Sequence, residues 1–127
     1  MWPLKRVDKE LEMGLIIDAY SFGRIKIAGK EYTSDVLIYP DRVEASWWRR
    51  DGHSLVPDDL TEVFLAAPAL LVIGTGYHGR MEIPAETLEY IRSRGIQVLS
   101  VTTKDAVEFL RLRQEDNDVV AALHLTC

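Results

Sequence analysis

The sequence predicts an α/β fold built on one central sheet, and three observations predict it. Residues 70–73, Leu-Leu-Val-Ile, form an unbroken apolar run of the kind found in strands covered on both faces. Residues 96–101 and 119–125 repeat that character, and amphipathic stretches with apolar residues three and four apart separate the three runs. Before residue 50 the period is instead two, as in antiparallel hairpins. Strands are therefore expected near 35–39, 43–48, 70–74, 96–101 and 119–125 in a single sheet, with helices near 58–67, 84–94 and 103–114.

Residues 1–13 mix charges with scattered apolar positions and read as a loosely held N-terminal segment. From Leu15 the pattern is β: Ile25 and Ile27 alternate with Arg24 and Lys26, and Ala28-Gly29-Lys30 is a turn before Tyr32. Asp35-Val36-Leu37-Ile38-Tyr39 reads as a buried strand, Pro40-Asp41 supplies the turn, and residues 42–48 return as its partner. Pro57-Asp58-Asp59 opens a helix with Leu60, Val63, Phe64 and Ala67 on one face, and Pro68 ends it. The next helix takes Pro84 at its first position, presents Leu88 and Ile91, and closes at Gly95 in the left-handed conformation. Thr102 with Asp105 makes a capping pair for a helix that buries Ala106, Val107 and Leu110. Residues 115–118 form the turn before the last strand.

At 127 residues the chain has the size of one domain, 1–127, able to bury roughly two thirds of the surface its unfolded form exposes. Apolar residues make up 47% and charged residues 28%, a globular mix that excludes a disordered or fibrous class. No apolar run approaches the ~20 residues that span a bilayer. The first residues lack the apolar stretch of a secretory signal, so a cytoplasmic location without a membrane partner is expected. A net charge of −5 argues against nonspecific nucleic-acid binding, which depends on neutralising phosphates. The pairs Arg92/Arg94 and Arg111/Arg113 are expected as solvated cations near helix C-termini. The single cysteine, Cys127, excludes an intramolecular disulfide and a multi-cysteine zinc site.

Several spaced segments together resemble one family. Residues 119–127, Val-Val-Ala-Ala-Leu-His-Leu-Thr-Cys, are similar to the closing signature of the Mth938-like domain family, which includes a mitochondrial complex I assembly factor and an adipogenesis-associated mammalian protein. Tyr20-Ser21-Phe22-Gly23, Asp35 to Pro40, Trp48 with Gly52-His53, and Leu71 to Gly76 resemble its segments in the same order, so the resemblance covers about residues 15–127. It implies a single-domain three-layer α/β fold with a mixed central β-sheet, N-terminal β-hairpins being followed by β-α-β-α-β. It also implies a scaffold sooner than an enzyme, and it carries over no catalytic residue.

The buried run at 70–73 stops in Gly74-Thr75-Gly76-Tyr77-His78-Gly79, a literal G-x-G-x-x-G. A dinucleotide site would open a helix directly and place an acid about 20 residues on. Here Arg80-Met81-Glu82-Ile83 intervene, and the next strand ends in Thr102-Thr103 with no acid at its tip. No Gly-Lys-Ser/Thr follows the glycines, so a P-loop is excluded, and no cofactor is expected. The glycines permit positive φ in a tight strand exit. The same N–H groups could converge on a small anion, with Thr75, Thr103 and Arg80 completing the site beside a helix N-terminus at Thr102. The candidate ligand-binding residues are thus Gly74, Thr75, Gly76, Tyr77, His78, Gly79, Arg80, Thr102 and Thr103.

His53, His78 and His124 show no metal-ligand spacing, so no metal is expected. His124 is expected as a hydrogen-bonded core histidine, and residues three apart on a strand face opposite ways, which argues against a nucleophilic pair with Cys127. Trp47 and Trp48 adjoin on one strand, so one ring enters the core and the other faces away, to be covered by another layer or a partner. With Arg49, Arg50 and His53 they make a candidate partner-binding segment. Two functions stand. One is a non-catalytic binding or assembly module, with a protein partner or a second copy of the chain. The other is a small-molecule enzyme or sensor that takes an anionic ligand at residues 74–79.

Overall fold

The computed structural model describes residues 16–113, 116 and 118–127. The expected N-terminal segment 1–13 and part of the turn 115–118 lie outside the described residues. Ile17–Ser21 (β1), Arg24–Ile27 (β2) and Lys30–Tyr32 (β3) form a three-stranded antiparallel sheet. Ala28 and Gly29, at φ 50° and 82°, make the β2–β3 turn in the left-handed conformation that matches strand twist. Val36–Tyr39 (β4), Arg42–Ala45 (β5), Leu70–Gly74 (β6), Gln97–Val101 (β7) and Val119–Leu123 (β8) form the central sheet, in the order β5-β4-β8-β6-β7. β6 runs parallel to β7 and β8, and β4 runs antiparallel to β8 and β5. The five expected strands therefore share one mixed sheet.

Strand alternation sorts the core into two halves. Leu37, Tyr39, Leu71, Ile73, Val120 and Ala122 face one side and pack against Leu60, Val63 and Ile91. Those three come from a 3₁₀ turn at Pro57–Leu60, helix α1 (Thr61–Ala66) and helix α2 (Ala85–Ser93). Val36, Ile38, Val72, Ala121 and Leu123 face the other side and pack against helix α3 (Thr103–Arg111) and the three-stranded sheet through Ala106, Val107, Ile17, Ile25 and Ile27. Both faces of the sheet are thus covered, as the uninterrupted apolar runs require. Among the described residues no helix is long and apolar enough to cross a membrane.

Several boundaries depart from expectation for local reasons. The helix expected at 58–67 is split, because Asp59 turns its carboxylate back to accept the N–H groups of Val56 and Arg50, both at 3.0 Å. Ala67, at φ 48°, caps α1 in the left-handed conformation just before Pro68. Pro84 stands one position before α2, as its N-cap. The strand expected to reach residue 48 ends at Ala45, since Ser46 adopts φ 61° and donates its N–H to Ser34 Oγ at 3.0 Å. Arg111 is not simply solvated: its guanidinium donates to the Ile17 and Asp18 carbonyls at 3.1 and 2.9 Å and ties α3 to β1. Gly95 takes the expected left-handed conformation at φ 80°.

Candidate functional site

β6, β7 and β8 end together, with Gly74 opposite Val101 on one side and Leu123 on the other. This carboxyl edge is where open α/β sheets receive ligands. Three segments meet there: the glycine loop 74–80, the start of α3 at Thr102, and residues 124–127 beyond β8.

The amides of the glycine loop point at the chain's own oxygens. Thr75 N–H donates to Val101 O at 2.9 Å, Gly79 N–H to Gly76 O at 3.1 Å, and Tyr77 and Arg80 N–H to the Thr126 and Cys127 carbonyls at 3.2 and 3.1 Å. Gly76 N–H donates to Thr103 Oγ1 at 2.9 Å. That fully buried hydroxyl in turn donates to His124 O at 2.6 Å, and the Thr75 hydroxyl donates to Val101 O at 3.0 Å. The residues singled out for an anion are therefore brought together, but these donors are spent within the chain: Tyr77, Arg80 and the Thr103 hydroxyl on residues 124–127, the rest on Val101, Gly76 and Thr103. Thr102 accepts the Asp105 N–H at 3.4 Å and so is occupied as the cap of α3. Replacing Thr103 by valine removes the partner of both the Gly76 N–H and the His124 carbonyl. The expected loss is about 1–3 kcal/mol for each buried group left unpaired, read by chemical denaturation.

Residues 124–127 are held from every side. His124 N–H donates to Gly74 O at 3.0 Å, and Leu125 N–H to Asp35 Oδ1 at 2.8 Å. Leu125 O accepts from Gly23 N–H and from the Tyr20 hydroxyl, both at 2.9 Å. Burial pushes the Tyr20 hydroxyl up to about 12, so it remains a neutral donor. The turn between β1 and β2 is thereby docked against the sheet edge. On the outside of this clasp stand aromatic rings. Phe22, 53% exposed, meets Tyr77, 46% exposed, edge-on at 5.6 Å between centroids. His78 lies 5.0 Å from Tyr77 and 6.2 Å from Phe22.

Below the edge lies a polar cluster at the start of β4. Asp35 Oδ2 accepts from Arg49 Nη2 at 2.8 Å and from His124 Nδ1 at 2.7 Å. The Arg49 side chain is only 5% exposed, donates a second bond to Gly52 O at 3.2 Å, and lies over the Trp47 ring at 4.7 Å. Among the described residues His124 Nε2 is buried without a partner, as are Nε and Nη1 of Arg49. Burial alone would raise the Asp35 carboxyl. Hydrogen bonds from His124, Leu125 N–H and Arg49 outweigh it and hold the group below the ordinary carboxylate range. His124 is thus the core histidine that its setting suggested. The sequence hides the role of Asp35, because its partners lie far along the chain and no local spacing marks them.

Trp47 and Trp48 separate as expected, one in and one out, but not as neighbours on a strand. Past the break at Ser46, Trp47 is 7% exposed and donates its indole N–H to Asp59 O at 3.0 Å, whereas Trp48 is 81% exposed. Of the other residues in that segment, Arg50 lies at the surface 3.6 Å from Asp58, and the His53 ring meets His124 edge-on at 6.4 Å. Among the described residues no three His, Cys, Asp or Glu side chains gather at metal-binding distance.

The fold has solved counterparts. A conserved hypothetical protein from Pyrococcus horikoshii is 29% identical, with a TM-score of 0.75 over 87% of this chain and 98% of its own. A protein from Bordetella parapertussis is 25% identical, with a TM-score of 0.73 over 87% and 95%. A Mth938-like domain from Bordetella pertussis, 18% identical, shares the fold at a TM-score of 0.70 over 89% and 87%. A family model described as a protein of unknown function (DUF498/DUF598) matches residues 17–124. The chain belongs to this family and has the Mth938-like fold.

Proposed function

We propose that the chain is a non-catalytic binding module that docks a protein partner, as an assembly factor does, through exposed aromatic side chains. The observation that supports this reading is the arrangement of the carboxyl edge. Its polar groups are turned inward onto the chain's own oxygens, those of residues 124–127 among them, and Phe22, Tyr77 and His78 are turned out. Trp48 adds a large ring that no layer covers among the described residues, and aromatic rings of this kind anchor interfaces. Trp48→Ala is expected to leave unfolding free energy within about 0.5 kcal/mol of the parent. Photo-crosslinking groups placed at Phe22 and Trp48 in living cells test the reading. Adducts to one defined protein support it, and their absence at both positions contradicts it.

A second reading, an anionic small ligand at the same edge, has one observation in its favour: the buried Arg49 Nε and Nη1 without partners. In this reading Arg49, and not the loop amides, supplies the ligand's counter-charge. Calorimetric titration of the chain with phosphate and small carboxylates, compared with an Arg49→Met variant, tests this reading. Saturable binding that the variant loses supports it, and no binding heat in the parent chain contradicts it.

A further inference from the structure

Among the described residues β5 is an outer strand of the central sheet and pairs only with β4. The two-residue turn at Pro40-Asp41 makes Tyr39 with Arg42, and Leu37 with Glu44, the pairs that exchange hydrogen bonds. The N–H and C=O groups of Val43 and Ala45 therefore point away from the sheet. Beside them runs a groove of about 240 Å³, floored by Leu37 and Trp47 and walled by Glu44, Asp58, Glu62 and the exposed Trp48.

The charges of this groove are unbalanced. Asp59 spends both carboxylate oxygens on backbone N–H groups. Arg42 reaches Asp41 at 3.2 Å and Glu44 at 3.4 Å, with its guanidinium over the Tyr39 ring, and Arg50 lies near Asp58. Glu44 and Glu62 both line the groove, and the Glu44 carboxyl, through hydrogen bonding and like charge, pushes that of Glu62 above the ordinary range against the opposing pull of Arg42. The Tyr39 hydroxyl, 2% exposed and without a hydrogen-bond partner, lies within the influence of both carboxylates. A cation entering here would relieve the repulsion between Glu44 and Glu62.

We propose that the β5 edge receives an extended basic segment of a partner protein, which adds as a sixth strand and sets an arginine or lysine between Glu44 and Glu62. The backbone of Val43 and Ala45 supplies the ladder, the two carboxylates supply selectivity, and Trp48 covers the inserted side chain. A second copy of this chain suits the groove less well, since each copy carries a net charge of −5. This inference rests on the protein-binding reading and names the partner's chemistry.

The test titrates the isotope-labelled chain with an acetylated heptapeptide alternating valine and arginine, and with its valine–glutamate counterpart. The arginine peptide is expected to shift the Val43 and Ala45 amides and the Trp48 indole saturably. The glutamate peptide is expected to leave them in place. A Glu44→Gln, Glu62→Gln double variant should weaken the arginine peptide by about tenfold or more. Equal effects of both peptides, shifts confined to other surfaces, or a β5-paired homodimer in sedimentation would each overturn the inference. Crosslinks to a partner from Phe22 or Trp48, with no peptide response at β5, would also overturn it while leaving the protein-binding reading in place.

Discussion

Replacing Asp35 by alanine is expected to cost the fold about 3–5 kcal/mol, the penalty typical of removing one partner from a buried ion pair. Asp35 is the acceptor for Arg49, His124 and the Leu125 N–H at once. Its loss leaves a guanidinium buried with no counter-charge and removes the bonds to the His124 ring and the Leu125 N–H. Urea unfolding at neutral pH reads the effect. The same carboxylate sets an acid limb. Its folded-state pKa is depressed below the unfolded value of about 3.9, so the stability it contributes is complete above that value. That contribution is lost as pH falls through the folded pKa. Asp35→Asn should therefore flatten the decline of stability below about pH 4.

Gly76→Ala is expected to be comparably damaging, for a different reason. Gly76 sits at φ 114°, and a Cβ there would lie 2.5 Å from Thr126 O and 2.6 Å from the Cys127 carbonyl carbon. Both contacts are backbone, so no side chain can swing aside. Backbone strain of about 1–3 kcal/mol adds to overpacking of about 1–3 kcal/mol. Residues 124–127 should then lose protection from hydrogen exchange before the rest of the sheet does. Gly52→Ala is the matched control: no atom lies within 4 Å of its added Cβ and its φ is not positive, so it should change stability by no more than about 0.5 kcal/mol.

The architecture was legible because burial on both sides of a strand leaves a local mark. Leu71, Val72 and Ile73 are apolar on both faces, and both faces are covered. Helix caps were legible for the same reason, since Gly95 and Thr102 act on groups a few residues away. The site was read only in outline. The glycine motif marked the correct edge of the sheet, yet nothing local shows that Gly76 and Tyr77 are matched to Thr103 and Thr126. Asp35 and His124 likewise meet through the antiparallel pairing of β4 with β8, and Arg49 joins them from the segment that follows β5. The two tryptophans show the reverse case. Their opposite fates were expected from strand alternation, but they arise from a left-handed Ser46 that ends the strand before either ring.

The glycine loop clasps residues 124–127 instead of cradling an anion, and Phe22 and Tyr77 stand exposed on its outside. Titration with phosphate, sulfate and small carboxylates, followed by backbone amide chemical shifts, tests it most directly. Residues 74–79 and 102–104 are expected to stay in place up to millimolar anion, because Thr75, Gly76, Tyr77 and Gly79 already donate within the chain. Saturable shifts of those amides, with the Thr126 and Cys127 signals moving in step, would contradict it.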